Sequence, residues 1–393
     1  MAKPDDVPIL IRRTHEERIL ATLRESGPLT RAELERRIGL SRTTLSDITS
    51  VLLRRGAIVE RRPEEGPRGR GRPAVRLALD PASGQFLGVD LGHRRVQVAV
   101  VNAANEVIAS GERAYIPEMS WSERLEVVFG LIDDATAATG VRLGALEGIG
   151  FGVPGPLGSA FGDESRVPPR WQGTRRDKVV ALIRERVAER FEAPLVLDNN
   201  TRFAALGEAV WGPSLDTDSL LYIRLSDGVG GGVVAGSRLV VGSLGTAGEL
   251  GHITVDPRGA RCWCGKQGCL ETVASAPAIR ARVAEGAAEK MVVREAGAAT
   301  GRVLAAASTV MDPTEVVVAG EVLRYRGFLD AVRTAFEHEV LPTGVRTRLR
   351  ASTLSEQAGA LGAIAAAFHR SPLLVGYASW ATSPVRVADR LPA

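Results

Sequence analysis

The sequence predicts an α/β protein in two parts, a small basic helical unit followed by a larger two-lobed α/β domain. Three observations lead there. At 393 residues the chain exceeds one small module and suits two or three domains. Residues 1–80 hold 17 Lys and Arg against 12 Asp and Glu, and residues 81–393 hold 33 against 34, so the basic surplus lies in the first fifth. Beyond Phe86, strand-like runs alternate with amphipathic helical stretches, and a similar series returns after Leu220.

Composition narrows the classes. Hydrophobic residues make up 45% and charged residues 24%, a globular rather than a disordered balance. The run Ala358 to Phe368 spans 11 residues, too short for a bilayer, and no other stretch reaches the length required. MAKPDDVPIL lacks a charged-then-apolar signal pattern. The expectation is a cytoplasmic protein with no membrane partner. All three Cys fall between Cys262 and Cys269. An odd, tight cluster reads as a metal site, not as a disulfide framework.

Residues 1–80 read as a winged helix-turn-helix. Glu16 to Ser26 places Ile19, Leu20 and Leu23 at helical spacing, and Gly27-Pro28 stops it. Thr30 with Glu33 forms a capping-box pattern ahead of a helix from Arg31 to Ile38. Gly39-Leu40 makes a short turn, and Ser41 caps a third helix running to about Arg54, with Leu45, Ile48, Val51 and Leu52 on one face. Ser41, Arg42, Thr43, Thr44 and Ser46 sit early on that helix, where such side chains reach base edges and phosphates in a major groove. Strands at Ala57 to Glu60 and Val75 to Leu79 flank a loop rich in Arg, Gly and Pro. Its Arg68, Arg70 and Arg72 suit a minor groove or a phosphate. A three-helix protein-interaction module would share the helices but has no use for the charged loop.

Residues 81–370 read as the two-lobed part. Strands Phe86 to Asp90 and Val96 to Val101 form a hairpin around Leu91 to Arg95, with a third strand around Val107 to Ala109. Ser122 to Thr139 is helical, Gly148 to Val153 a strand, Asp177 to Phe191 a second helix, and Pro194 to Leu197 a short buried strand. In the repeat, strands Leu220 to Leu225 and Gly231 to Val234 flank Ser226 to Gly230, and a strand at Val316 to Ala319 enters Gly320. A final Ala/Gly-rich helix covers Glu356 to His369, and residues 371–393 form a tail with no assigned structure.

Two constellations carry chemistry. In the first, His252, Cys262, Cys264 and Cys269 offer an imidazole and three thiolates, a set that suits tetrahedral Zn2+. Full protein ligation leaves no position for water, so the zinc is structural. Three ordinary thiols beside a surface His is the alternative. In the second, Asp198-Asn199-Asn200 follows a strand, Glu208 lies eight residues beyond Asn200, and Glu249 and Glu271 flank the Cys/His set. Acid and amide groups at strand ends suit sugar hydroxyls, although the same groups also serve caps and turns.

The segments Gly245-Thr-Ala-Gly-Glu-Leu-Gly-His252 and Cys262-Trp-Cys-Gly-Lys-Gln-Gly-Cys-Leu-Glu271 resemble the signature of the ROK family of repressors and sugar kinases. The resemblance runs from the winged helix to about His369. It implies an actin/hexokinase-like (ribonuclease-H-like) fold with a sugar cleft, in a homodimer or homotetramer. It also implies sugar contacts from Glu249, His252 and Glu271, with His252 also on the zinc, and the amides of Asn199 and Asn200 are expected to bind sugar hydroxyls beside them. Members with an N-terminal winged helix resemble the xylose and N-acetylglucosamine repressor type, in which a sugar or sugar phosphate changes operator affinity.

Departures from the kinase pattern argue against catalysis. Kinases of the family place an Asp general base eight residues before a Glu, and here that position is Asn200. An amide binds a hydroxyl but does not take its proton. His93, Arg94 and Arg95 fill hairpin positions where the kinases carry small residues, and Asp227 adds negative charge in the second phosphate loop. Asp198, two residues from Asn200, would point the same way in an extended segment and could rescue the base. Pro168-Pro169-Arg170-Trp171 departs from the usual Pro-Asn before a cleft Trp. The expectation is a regulator of carbohydrate-utilisation genes, most simply a repressor, that binds operator DNA and is not an enzyme. A sugar kinase that also binds DNA and a redox or metal sensor built on the Cys cluster are the rivals.

Overall fold

A computed structural model describes residues 15–370, except 17, 21, 24–25, 55–56, 62–74, 80–83, 103–105, 144–145, 156–174, 214–218, 237 and 342–346. Arg68, Arg70 and Arg72, the segment Pro168 to Trp171, and the tail therefore lie outside the described residues.

The N-terminal unit contains helical residues between His15 and Ser26, α1 (Arg31–Ile38), α2 (Arg42–Arg54) and strands β1 (Leu29–Thr30), β2 (Ile58–Arg61) and β3 (Arg76–Leu79). The strands form an antiparallel sheet in the order β1-β3-β2. The short β1, which propensity does not announce, sets Leu29 opposite Leu77. The capping box forms as read: Thr30 N–H donates to Glu33 Oε2 at 2.7 Å, and Glu33 N–H donates to Thr30 Oγ1 at 3.2 Å. Gly39 ends α1 in the left-handed region at φ 72°, which only glycine enters without strain. Ile19, Leu23, Leu34, Leu45, Ile48, Leu52, Ile58 and Leu77 close one small core. Val51 is only half-buried, at the edge of the face assigned to it.

Beyond residue 84 the described residues build two sheets of the same design. Strands β4 (Gln85–Leu91), β5 (Arg95–Val101), β6 (Val107–Ala114), β7 (Leu146–Val153) and β8 (Leu195–Asn199) run in the order β6-β5-β4-β7-β8. Strands β9 (Ser219–Leu225), β10 (Val229–Ala235), β11 (Arg238–Leu239), β12 (Glu315–Ala319) and β13 (Arg348–Ala351) repeat that order as β11-β10-β9-β12-β13. In each sheet the first three strands are antiparallel and the last two join in parallel. The repeated series is thus one architecture used twice, a mixed α/β arrangement of the hexokinase-like kind. Strand β6 is longer than the Val107 to Ala109 expected, because its outer half is polar and edge-exposed and shows no apolar run.

Helix α3 (Trp121–Thr139) covers the first sheet, aided by α4 (Arg175–Arg190), with Leu125, Val128, Ile132 and Ile183 in its core. Helices α5 (Asn200–Trp211) and α10 (Ala358–Arg370) pack together between the sheets. Their backbones touch at Gly207 and Gly362, where a Cβ would collide with Ala358 and Phe203. On the far side lie α6 (Glu271–Ala274), α7 (Ala276–Ala284), α8 (Glu289–Met311) and α9 (Phe328–Glu339). Helices α7, α8 and α9 escaped the sequence reading. In α8 the contact positions Gly297 and Gly301 are glycines that let its backbone lie close against α9. Among the described residues no helix is long and apolar enough to cross a membrane.

Candidate functional site

The two sheets meet at a cleft of about 700 Å³. One wall comes from the β4–β5 hairpin tip and the β8–α5 junction, the other from the β9–β10 turn and the loops that follow β11. Asn199, Asn200, Glu249, His252 and Glu271, all expected as sugar contacts, line it together.

Each of these side chains is placed by a local cause. Asn199 is the N-cap of α5, and its Oδ1 accepts from Thr201 N–H at 2.7 Å and Arg202 N–H at 3.3 Å. Its carbonyl oxygen is therefore committed to the helix. Asn200 is buried and donates through Nδ2 to Asp90 Oδ1 at 2.8 Å. Glu249 directly precedes a 3₁₀ turn, Leu250–His252, and His252 is its last residue. That turn presses on β10, with Gly251 against Val229 and Gly248, at φ 84°, against Gly231, where a Cβ would collide. Glu271 opens α6; its Oε2 accepts from Val229 N–H at 2.9 Å and its Oε1 from Trp263 Nε1–H at 2.5 Å.

Two acids considered with this group do not join it. Asp198 is 1% exposed and bonds Arg202, whose Nε lies 2.7 Å from Asp198 Oδ1. The expectation that Asp198 points with Asn200 fails because β8 ends at Asn199 and α5 begins at Asn200, so the two-residue period of a strand stops between them. Glu208 is also buried, accepting from Arg350 Nη1 at 2.8 Å, Thr353 N–H at 3.1 Å, Leu354 N–H at 3.2 Å and the Ser352 hydroxyl. It fastens α5 to the segment after β13.

Charged pairs bind the two walls together, and of their members the sequence marks Arg94 and Asp227 but not Asp90 or Arg224 as site residues. Asp90 Oδ2 accepts from Arg224 Nη1 at 3.1 Å. Burial works against the Arg224 charge, but Asp90 beside it holds its pKa above the ordinary value. At the rim, Arg94 Nε donates to Asp227 Oδ1 at 3.0 Å. His93 faces solvent on one side, yet desolvation by the cleft walls, with Arg124 and Arg224 nearby, holds its imidazole below the ordinary value despite Asp227. These pairs join residues 133 and 134 positions apart, which no local pattern signals. Trp263 carries no signal of its own in the sequence beyond its place between Cys262 and Cys264. It lines the cleft, 60% exposed, with its ring centroid 4.9 Å from that of His252.

His252, Cys262, Cys264 and Cys269 form a cluster that could hold a metal ion, their ligand atoms within 4.8 Å of one another. His252 Nδ1 is 3.6 Å from Cys262 Sγ, and Cys264 Sγ is 3.6 Å from Cys269 Sγ, too far for a disulfide. The loop folds back through Cys262 N–H to Lys266 O at 2.8 Å, with Gly265 at φ 92° and Gly268 at φ 64°. Burial pushes the Cys262 thiol up and the Cys269 thiol up to about 12, so a cation is what these buried sulfurs need to become thiolates.

In the N-terminal unit, Ser41 Oγ accepts from Thr44 N–H at 3.2 Å and so caps α2. Arg42, Thr43 and Ser46 are exposed beside it, Thr44 is half-buried, and the acidic Asp47 shares their face.

The ROK family model matches residues 86–370. The xylose repressor of Caldicellulosiruptor bescii is 29% identical over 272 residues, covering 69% of this chain and 66% of that protein. The chain thus matches just under two thirds of that relative's length. The DNA-binding transcriptional dual regulator NagC of Escherichia coli K12 is 26% identical over 342 residues, 80% of this chain and 82% of NagC. Among solved structures, a ROK family transcriptional regulator homologous to the E. coli MLC protein is 26% identical with a TM-score of 0.70, covering 93% of this chain and 98% of its own. The ROK hexokinase of Thermus thermophilus is 30% identical with a TM-score of 0.59, covering 72% of this chain and 98% of its own.

Proposed function

The chain belongs to the ROK family, and from that premise we propose that it is a sugar-responsive transcriptional repressor without kinase activity. The observation that carries this reading is Asn200. It stands where a general base would stand, spends its amide on Asp90, and has no substitute in Asp198, which is held by Arg202. The comparisons favour the same reading. The solved regulator covers 93% of the chain, including most of the N-terminal unit, whereas the hexokinase covers 72%.

Residues 1–80 serve as a winged helix-turn-helix that binds operator DNA. Arg42, Thr43, Thr44 and Ser46 at the start of α2 enter the major groove, Ser41 holds that helix end, and Arg68, Arg70 and Arg72 grip phosphate or the minor groove. Residues 81–370 bind a sugar or sugar phosphate through Asn199, Asn200, Glu249, His252 and Glu271, and residues 371–393 are a tail. The Cys/His cluster takes Zn2+. Its 3.6 Å sulfur separation is close to the edge of about 3.8 Å that a tetrahedron with Zn–S near 2.3 Å requires. With four protein ligands the ion is structural: it holds the loop that presents His252, Trp263 and Glu271 to the cleft.

Sugar binding changes closure of the two walls, and in a homodimer or homotetramer this changes the spacing of paired recognition helices. Half-sites one helical turn apart, or a multiple of it, then no longer match. Acting on operator DNA places the protein in the cytoplasm. The test is fluorescence anisotropy of the purified protein on its own upstream DNA, with and without a panel of sugars and sugar phosphates, beside a sugar-dependent ATP turnover assay. Competitor-resistant binding released by one sugar, with no turnover, is expected. Turnover, or binding that responds only to zinc or oxidant, would overturn the reading.

A further inference from the structure

We infer that the effector is a neutral, unphosphorylated sugar, because the end of the cleft that would take a phosphate is already filled by its own ion pairs. The inference rests on the reading of the cleft as a sugar site. That end lies between the β4–β5 hairpin tip and the β9–β10 turn. Among the described residues three guanidiniums reach it, those of Arg94, Arg95 and Arg224. Each is engaged by carboxylates. Arg94 Nε lies 3.0 Å from Asp227 Oδ1, and Arg224 Nη1 lies 3.1 Å from Asp90 Oδ2. Arg95 pairs with Glu356, and its Nη1 lies 3.7 Å from Glu112 Oε1. His93 adds no positive charge at neutral pH, since its surroundings favour the uncharged ring.

The balance of charge among the described lining residues points the same way. Against those three guanidiniums, Glu112, Asp227, Glu249, Glu271 and Glu321 all face the cleft. A phosphate arriving there meets more carboxylates than guanidiniums among the described residues and competes with Asp227 for Arg94 or with Asp90 for Arg224. The first pair is partly exposed and individually weak. The second is buried, so parting it strands a charge. A neutral sugar disturbs neither: its hydroxyls donate to Glu249 and Glu271 and accept from amides at the β8–α5 junction. Asp227 is thus a specificity-determining residue, a fixed anion in the place of a ligand's anion.

The experiment is isothermal titration calorimetry of the full chain with matched probes: D-glucose and D-glucose 6-phosphate, N-acetyl-D-glucosamine and its 6-phosphate, and D-xylose. A neutral probe is expected to bind, and its 6-phosphate at least about 30-fold more weakly. Asp227→Asn frees Arg94 and raises affinity for the phosphorylated probe about tenfold, and adding Arg94→Ala reverses that gain. Thermal melting of both variants confirms that they fold. A phosphorylated probe that binds wild type more tightly than its neutral partner overturns the inference and leaves the sugar reading standing. Failure of every probe to bind overturns the sugar reading, and the inference with it.

Discussion

Asn200 donates its side-chain amide to Asp90 Oδ1 across 2.8 Å, and both residues are buried where the two walls of the cleft meet. Asp90 accepts from Arg224 on its other oxygen, so the amide completes a neutral bridge between the sheets. This contact makes the first prediction. Asn200→Asp places a second carboxyl beside Asp90. To keep the hydrogen bond the new group must hold its proton, so its folded pKa is raised above that of an ordinary Asp. An acid with a raised folded pKa keeps stability at low pH and loses it as pH rises through the ordinary Asp range to the raised value. The variant should melt near wild type at about pH 3, below the ordinary Asp range, and be about 1–3 kcal/mol less stable near pH 7.5. Equal losses at both pH values would contradict the bridge.

The Asp198–Arg202 pair gives a stability test. Both side chains are 1% exposed, and Arg202 Nη1 also donates to Gly245 O at 2.5 Å. Asp198→Ala leaves a buried guanidinium uncompensated and should cost about 3–5 kcal/mol in urea denaturation. Adding Arg202→Met removes the stranded charge and recovers part of the loss. A near-neutral Asp198→Ala variant would show that the acid is not held as described.

The metal reading predicts zinc in equimolar amount with purified chains, measured by atomic emission. Cys269→Ala should abolish it and lower the melting temperature, because Cys269 is buried and pairs across the loop with Thr254. Unchanged melting after complete removal of zinc would end the structural role assigned to it.

Trp263 offers a readout of occupancy. Its indole donates to Glu271 Oε1 and stands edge-on to His252, so a sugar hydroxyl bound by Glu271 must displace or share that bond. Trp263→Ala should weaken sugar binding about 2–12-fold, the equivalent of 0.5–1.5 kcal/mol for an aromatic contact. Trp263→Phe should keep more of the affinity while losing the ligand-induced fluorescence change. If that change survives in Trp263→Phe, the signal comes from another tryptophan and the contact is refuted.

What the sequence determined by itself is the chemistry of contiguous residues. Thr30 and Glu33 meet because a helix start brings positions three apart together. Cys262, Cys264 and Cys269 converge with His252 because glycines fold one short loop, and spacing alone announces that. The repeated strand series was legible for the same reason: alternation and turn residues are local. Tertiary structure decided the rest. Asp198 and Asn200 share a face in any extended reading, but the strand-to-helix switch between them sends one to Arg202 and the other to Asp90. The seam between α8 and α9 includes glycine backbone at Gly297 and Gly301, an approach that exists only once the two helices are packed. The pairs Arg94–Asp227 and Asp90–Arg224 join separate sheets, and a carboxylate finds its partner only when packing has set the distance. Local rules name the groups present at a site, whereas the fold decides which of them are left for a ligand.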